Sequence, residues 1–248
     1  MDKIRIAVIG NGIIGESHIS GYQSIPEAEV VAICDINEER LNYIGDKYGI
    51  KRRFTHIGKL LEEPDIDAVD VCLHNNMHAP VSIAVMQSGR HCYCEKPMAG
   101  SFYDARRMYQ VMQETGQKLH IQLAFLYTLE TKCAKKFIDA GDLGHIYHMR
   151  SYGFRRRGRP FVDGYATKEF VNTKTSGGGA LFDMGVYHIS QLLYLTGIPQ
   201  LERVCGHTYA EVAMDEGRRA ISGYNVEELG VGLAIARARG VEPGIKIQ

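Results

Sequence analysis

The stretch Ile4-Arg5-Ile6-Ala7-Val8-Ile9-Gly10-Asn11-Gly12-Ile13-Ile14-Gly15 decides the fold of this chain. Its first six residues have the apolar, β-branched composition of a buried strand, and a G-x-G-x-x-G turn follows directly. Such a turn between a strand and a helix is typical of a dinucleotide-binding unit. Gly10 permits the tight turn, Gly12 lets the backbone approach a pyrophosphate, and Gly15 allows close packing of the helix.

An acidic residue stands where such a site needs one. Asp35 lies 20 residues after Gly15, at the end of the second predicted strand, where a carboxylate can accept hydrogen bonds from ribose hydroxyls. The same charge would repel the 2′-phosphate of NADP, so the sequence favours NAD. Nearby Arg40 softens that preference.

Apolar runs alternate with helix-like segments through the first half, the pattern of a parallel sheet covered by helices. The predicted strands are 4–9, 29–34, 68–73, 91–95 and 118–124. The predicted helices are 13–24, 38–48, 57–62, 80–88 and 102–115, with Asn37 and Ser101 as N-caps. We therefore predict a doubly wound Rossmann domain over residues 1–124.

The second half, residues 125–248, has an α+β pattern. Helices are predicted over 129–140 and 180–196, and strands over 145–154, 202–212 and 224–236. A polar, glycine-rich stretch precedes the second of these helices.

Composition excludes several classes of protein. The 29 basic and 29 acidic residues give a net charge of +0, which argues against a nucleic-acid binder that depends on a positive field. No apolar run approaches the roughly 20 residues of a membrane helix, and no signal-peptide pattern is present, so we expect a cytoplasmic protein without a membrane partner. The six cysteines are expected to be reduced thiols. Cys92 and Cys94 could share a metal, but no second pair follows at zinc-like spacing, so no metal site is predicted.

Glu95-Lys96-Pro97 ends a predicted strand, and the carboxyl ends of strands face the ligand crevice in open α/β sheets. Lys96 is therefore aimed at the cofactor, where it can polarise a substrate oxygen. A solvated lysine after a strand is the alternative.

The stretch 177–188 places an acid, a phenol and an imidazole at the start of an apolar helix. Asp183 and Tyr187 share a face of an ideal α-helix, and His188 is turned by roughly 100 degrees from Tyr187. Tyr187 or His188 can exchange a proton with a substrate hydroxyl, and Asp183 can orient either group. A capped helix with a buried, satisfied histidine is the alternative.

Together with Leu73-His74-Asn75-Asn76-Met77-His78, these motifs resemble the Gfo/Idh/MocA oxidoreductases, the family of glucose-fructose oxidoreductase and inositol dehydrogenase. The resemblance runs from about residue 4 to about residue 233. It implies a Rossmann domain, a second domain with an open, mostly antiparallel sheet, a nicotinamide cofactor, and a sugar or polyol substrate. It also implies a homodimer or homotetramer.

Site residues follow from the same resemblance. The predicted catalytic residues are Lys96, Asp183, Tyr187 and His188. The predicted cofactor-binding residues are Gly10, Asn11, Gly12, Ile13, Ile14, Gly15, Asp35, Arg40, Leu73, His74, Asn75, His78, Glu95 and Lys96.

The sequence also departs from the family pattern. Many inositol-dehydrogenase-like members carry His four residues after the acid, where this chain has Tyr187. Tyrosine there looks like the glucose-fructose oxidoreductase branch, in which it is the proton donor or acceptor, so Tyr187 ranks above His188. Family members commonly carry an arginine after the strand that is predicted here over 118–124, and this chain has other residues in the stretch 124–127. Residues 234–248 do not fit the family, and we hypothesise a truncated chain or an altered reading frame that leaves about three strands in the second sheet.

Two other functions stay open. Some members of the family hydrolyse glycosides through transient oxidation by tightly held NAD. The other alternative is a protein that binds the cofactor without catalysis.

Overall fold

The structure, a computed structural model, describes residues 3–154, 167–211 and 216–237. The described residues fall into two compact units. The first ends at Gln122 and takes in the short segment Lys174–Gly177, and the second holds the rest. The sequence placed the domain boundary at residue 124 and therefore assigned Lys174–Gly177 to the second domain.

The first unit is built on a six-stranded parallel sheet with the strand order β3-β2-β1-β4-β5-β6. Its strands are β1 (Ile4–Ile9), β2 (Ala28–Cys34), β3 (Arg52–Phe54), β4 (Ala68–Val71), β5 (His91–Glu95) and β6 (Leu119–Gln122). Its helices are α1 (Ile13–Tyr22), α2 (Glu38–Tyr48), α3 (Ile57–Leu61), α4 (Asn75–Gln87) and α5 (Phe102–Thr115). This is the doubly wound order of a Rossmann domain, as predicted.

Each face of this sheet has its own apolar core. On one face Val8 and Ile33 pack with Ile44 of α2, and on the other Val69 packs with Met86 of α4. All five side chains are almost fully buried. Burial of one such side chain contributes roughly 1.5–3 kcal/mol, so the central strands hold the loops at their carboxyl ends on a rigid base.

Local capping explains why two helices match their predicted bounds. The Asn37 side chain accepts a hydrogen bond from the Arg40 N–H at the start of α2, and Ser101 accepts one from the Asp104 N–H at the start of α5. Gly49 ends α2 in the left-handed conformation, with φ of 69°.

Two predictions in the first unit were wrong. Helix α4 begins at Asn75 and not at Pro80, which sits inside the helix. A proline at this position removes one backbone hydrogen bond of the helix. This costs less than the loss of the whole first turn, which a start at Pro80 would require. Strand β3 was not predicted, because its charged side chains hide it from a hydrophobic pattern; Arg52 pairs with Asp65 and Arg53 with Asp46.

The second unit contains two paired antiparallel strands, β7 (Gln200–Tyr209) and β8 (Leu229–Arg237). Its helices are α6 (Leu129–Asp139), α8 (Val186–Leu195) and α9 (Glu216–Ser222). All of α7 (Thr173–Ser176) except Thr173 belongs to the first unit. Short 3-10 segments cover Ala124–Tyr127 and Lys168–Val171. The parallel sheet and the antiparallel pair confirm the predicted fold class.

Three differences from prediction concern this unit. Residues 145–154 form no strand, because in the described part of the second sheet they have no hydrogen-bonded partner strand beside β7 and β8. The second sheet therefore has two described strands and not three. The predicted helix 180–196 is divided into a π-helical turn, Leu181–Gly185, and α8. Residues 238–248, the greater part of the divergent C-terminal stretch, lie outside the described residues.

Two general expectations concern the whole chain. All six cysteines are unpaired thiols, and burial raises the pKa of the Cys92 thiol to about 12. Among the described residues, no helix combines the length and the apolar character that crossing a bilayer requires.

Candidate active site

The glycine turn between β1 and α1 is shaped by two close backbone approaches, at Gly10 and Gly15. Gly10 has a φ of 89°, and a Cβ there would lie 2.3 Å from the Cys72 carbonyl oxygen. A Cβ on Gly15 would lie 1.9 Å from the Gly10 carbonyl oxygen. At Gly12, by contrast, a Cβ would meet no atom of the described chain within 4 Å. Gly10 and Gly15 are therefore required by the fold, whereas Gly12 leaves open space at the start of α1.

Asp35 and Asn11 form the polar floor beside this turn. The Asp35 carboxylate accepts hydrogen bonds from the N–H of Asn11 at 2.7 Å and from the N–H of Asn37 at 2.9 Å. The Asn11 side chain is fully buried, and its amide has no hydrogen-bond partner in the described part of the chain. A buried amide without a partner costs free energy, which a bound polar group would recover. The turn, the open Gly12 and the acid together fit the pyrophosphate and ribose of a dinucleotide.

Arg40 is held against the same turn. Its guanidinium donates to the Asn11 carbonyl at 2.7 Å and pairs with Glu16. Lys47 also contacts Glu16, and hydrogen bonds from Lys47 and Arg40 lower the pKa of the Glu16 carboxyl. One carboxylate, that of Glu16, thus faces the two cations Arg40 and Lys47.

Lys96 follows the carboxyl end of β5, at the same edge of the sheet as the glycine turn and Asp35. The Glu95 carboxylate accepts a hydrogen bond from the Lys96 N–H at 3.0 Å. The Lys96–Pro97 peptide bond is cis. Lys96 is half-buried and Pro97 buried, so this loop is anchored behind its lysine.

The loop from β4 into α4 divides into buried and exposed residues. His78 is fully buried, and its ring nitrogens lie 2.6 Å from the Pro97 oxygen and 3.0 Å from the Leu73 oxygen. It therefore ties the two loops together from behind, and burial lowers its pKa. Asn75 is also buried and donates to the Ser176 carbonyl at 2.6 Å. His74, at the N-cap of α4, is exposed.

In the second unit, Glu227 organises the glycine-rich entry to the π-helical turn. Its carboxylate accepts hydrogen bonds from the N–H of Gly179 at 2.8 Å and of Leu181 at 3.1 Å. A Cβ on Gly179 would lie 1.9 Å from the Glu227 carbonyl oxygen, which explains a glycine there. Asp183 lies within the turn and is half-buried. Asp183 lies in this π-helical turn and Tyr187 in α8, and the shared face of the two side chains stays a prediction.

Tyr187 and His188 are consecutive residues of α8, and the ring of Phe125 contacts both of them. The Tyr187 ring stacks on Phe125, with centroids 4.6 Å apart and an interplanar angle of 20°. His188 instead lines an apolar cavity of about 820 Å³ together with Leu201, Val204 and other residues of β7 and β8. Its Nδ1 lies 2.6 Å from the Ser151 hydroxyl, and its Nε2 faces Gly153, where a Cβ would be 2.2 Å away. His188 is thus enclosed by its own unit.

Three functional contacts were missed by sequence reasoning. Phe125 belongs to the stretch in which an arginine is missing, and that departure was the one available signal. The sequence contained no comparable signal for Glu227 or His18. His18 of α1 lies within hydrogen-bond distance of Glu95, and His18, Asp70 and Cys72 place one donor atom each within 4.8 Å of one another, close enough to surround a metal ion.

Comparison with known proteins matches both units. The family model described as "Oxidoreductase family, NAD-binding Rossmann fold" matches residues 4–123. The model described as "GFO/IDH/MocA C-terminal domain" matches residues 131–231. The two matches cover most of the chain.

Curated relatives and solved structures agree with these models. D-glucoside 3-dehydrogenase of Escherichia coli is 29% identical over 210 residues, which are 84% of this chain and 58% of that protein. Myo-inositol 2-dehydrogenase of Thermotoga maritima is 28% identical over 78% of this chain and 55% of its own length. The WlbA dehydrogenase of Bordetella pertussis, solved with NADH and UDP-GlcNAcA, superimposes with a TM-score of 0.82 at 28% identity, over 96% of this chain and 67% of that one. The chain thus spans little more than half the length of these curated relatives.

Proposed function

The chain belongs to the Gfo/Idh/MocA oxidoreductase family, and from that membership we propose an NAD-dependent dehydrogenase that oxidises a secondary hydroxyl of a sugar or cyclic polyol. One observation carries the proposal. The glycine turn, Asp35 and Lys96 follow the carboxyl ends of three strands of one parallel sheet. Dinucleotide-binding groups and a cationic side chain therefore share the edge at which open α/β sheets bind ligands.

The first unit supplies the residues that would hold NAD. The start of α1 offers N–H groups and a positive dipole to the pyrophosphate beside Gly12. Asp35 would accept hydrogen bonds from the adenosine ribose, and its charge disfavours the extra phosphate of NADP. Arg40 would soften that preference, because the single Glu16 carboxylate faces both Arg40 and Lys47. Bound NAD would supply the acceptor for the hydrogen and electron pair that leave the substrate carbon.

The remaining chemistry is a proton transfer and its electrostatic support. We assign the hydroxyl proton to Tyr187, and we assign Lys96 to the developing negative charge on the substrate oxygen. His188 is a weaker candidate, since its ring is enclosed between the Ser151 hydroxyl and Gly153. Asp183 would orient the substrate, and His78 would support the loops at Leu73 and Pro97 from behind.

The testing experiment is a screen of cyclic polyols and pyranosides for NADH formation by the purified chain. Replacement of Lys96 by Met should abolish turnover while leaving the NAD dissociation constant nearly unchanged. Lys59→Met, at an exposed lysine of α3, is the matched control. Glycoside cleavage without net NADH would support the hydrolase alternative, and equal loss of activity and NAD affinity in Lys96→Met would refute the role of Lys96.

The assembly and location are also proposals that rest on the family resemblance. We propose a homodimer or homotetramer in the cytoplasm. Light scattering of the purified chain gives its mass in solution, and a monomer at enzymatic concentrations would contradict the first part.

A further inference from the structure

His18, in the middle of α1, lies between two carboxylates of the parallel sheet. Its Nδ1 is 2.9 Å from an Asp70 carboxylate oxygen, and its Nε2 is 3.1 Å from a Glu95 carboxylate oxygen. The side chain of Asp70 is fully buried, and those of His18 and Glu95 are only 14% and 13% exposed. These contacts connect α1, β4 and β5 at the carboxyl end of the sheet.

The two contacts define the protonation of the ring. An ionised carboxylate can only accept, so each ring nitrogen that faces one must carry a hydrogen. Burial alone would lower the pKa of His18, but hydrogen bonds to Asp70 and Glu95 outweigh it and raise the pKa to about 10. The ring is therefore an imidazolium near neutral pH.

The other groups around His18 support the same charge state. The Tyr22 hydroxyl donates to Asp70 at 2.9 Å, and the Cys72 sulfur lies 3.4 Å from Nδ1 of His18. Burial and the charge of Asp70 raise the pKa of both Tyr22 and Cys72, so both stay neutral. The Tyr93 ring, 5.8 Å from the imidazole, completes the surroundings.

Glu95 carries the contact onward to the active-site loop. One of its oxygens faces His18, and the other accepts from the Lys96 N–H at 3.0 Å. His18 is also on the helix that begins at the glycine turn. The helix that would receive the pyrophosphate is thus connected through two side-chain contacts to the backbone of Lys96.

We propose that His18 is a positioning residue, which fixes Glu95 and through it the peptide of Lys96 relative to the dinucleotide-binding helix. The inference rests on the proposed function in that Lys96 is taken as the active-site lysine. A metal ion held by His18, Asp70 and Cys72 would replace the hydrogen on Nδ1 and leave Nε2 to donate to Glu95, so the metal-bound ring and the imidazolium differ in the Nδ1 hydrogen.

Two substitutions separate the two hydrogen bonds. In His18→Gln the terminal amide can replace the Nε2 donor to Glu95, and in His18→Asn it can replace the Nδ1 donor to Asp70. We expect His18→Asn to lower kcat about ten- to hundredfold with little change in KM, because a small misplacement of a reacting group costs rate more than binding. His18→Gln should recover most of that loss. Tyr22→Phe, which changes only the Asp70 side of the cluster, is the control and should keep kcat.

A measurement independent of activity tests the geometry itself. In the chain labelled with 15N-histidine, His18 should show both ring N–H signals at about pH 8.5, where an ordinary imidazole is neutral. Comparison with the spectrum of His18→Gln, which lacks these signals, assigns them to His18. A neutral ring, or Zn²⁺ retained after dialysis and lost in Cys72→Ala, would overturn the proposal. Equal kcat losses in the Gln and Asn variants would also overturn it. Full activity in Lys96→Met together with an intact imidazolium signal would instead refute the proposed role of Lys96.

Discussion

The ring of Tyr187 lies stacked on the ring of Phe125, which follows the last strand of the Rossmann sheet in the sequence. The stack holds the phenol on one side of α8, and the neighbouring His188 faces the cavity beside β7 and β8. Phe125 also lies edge-on to His188, with ring centroids 5.8 Å apart, so the two consecutive residues share this neighbour. The stack on Phe125 supports the proposed assignment of the proton transfer to Tyr187.

Substitution at these two positions should therefore have different effects. Tyr187→Phe keeps the ring and the stack but removes the hydroxyl, so we expect kcat to fall by about a hundredfold or more at an unchanged melting temperature. His188→Asn should mainly lower the melting temperature, since asparagine can keep the contact with Ser151 but loses the ring that packs edge-on against Phe125. Steady-state kinetics and thermal unfolding of both variants check this. A large kcat loss in His188→Asn at an unchanged melting temperature would reverse the assignment.

The stacking partner has its own predicted effect. Phe125→Leu preserves an apolar side chain but removes an aromatic contact worth roughly 0.5–1.5 kcal/mol. We expect a several-fold lower kcat, because the phenol loses its fixed orientation. The double variant with Tyr187→Phe should show no further loss beyond that of Tyr187→Phe alone. Additive losses would mean that Phe125 acts independently of Tyr187.

Substitution of Gly12 should affect cofactor binding, whereas substitution of Gly15 should affect folding. A Cβ at Gly12 meets no described atom within 4 Å, so Gly12→Ala should fold normally and weaken NAD binding by occupying the space of the pyrophosphate. Gly15→Ala should unfold the domain, since its Cβ would lie 1.9 Å from the Gly10 oxygen. Gly21→Ala, on the same helix and equally open, is the control for NAD affinity. Isothermal titration and circular dichroism measure the two effects, and full NAD affinity in Gly12→Ala would place the cofactor elsewhere.

The charge of Asp35 should set the preference between the two nicotinamide cofactors. Asp35→Asn keeps an acceptor for the N–H of Asn11 but removes the repulsion of a 2′-phosphate. We expect the ratio of NADP to NAD affinity to rise about tenfold, a change that corresponds to about 1.4 kcal/mol. Titrations with both cofactors at equal ionic strength give this ratio. An unchanged ratio would show that Asp35 does not face the ribose.

The stability that His18 contributes should depend on pH. Its folded pKa of about 10 lies above the unfolded value of about 6.5, so the contribution is complete below about pH 6.5. It declines as pH rises and is lost above about pH 10. Chemical unfolding of the wild type and His18→Gln should therefore show a difference in the free energy of unfolding that shrinks from pH 6.5 upward. A difference that grows with pH would contradict the charged state of His18.

Sequence patterns predicted the elements whose determinants are local. Helices α2 and α5 match their predicted bounds because Asn37 and Ser101 cap them from within a few residues. Strand β3 and the irregular segment 145–154 depend instead on which strands are available to pair, and a sequence pattern does not contain that information. The entry to the π-helical turn likewise contacts Glu227, which lies far along the chain.

The same distinction applies to the candidate site. The glycine turn, Asp35 and Lys96 are visible as motifs because each follows a strand directly. The contacts of Phe125 with Tyr187 and of His18 with Glu95 join residues that are distant in sequence, so that no spacing rule finds them. The sequence therefore showed the chemical groups, and the structure added the residues that hold them in place.

The most direct test of the central claim is the formation of NADH by the purified 248-residue chain with NAD and a panel of cyclic polyols and pyranosides. The account predicts NADH formation with at least one member of the panel, and its loss in Lys96→Met and in Tyr187→Phe while both variants still bind NAD. Tight NAD binding by the wild type without NADH from any member of the panel, or full activity in both variants, would contradict it.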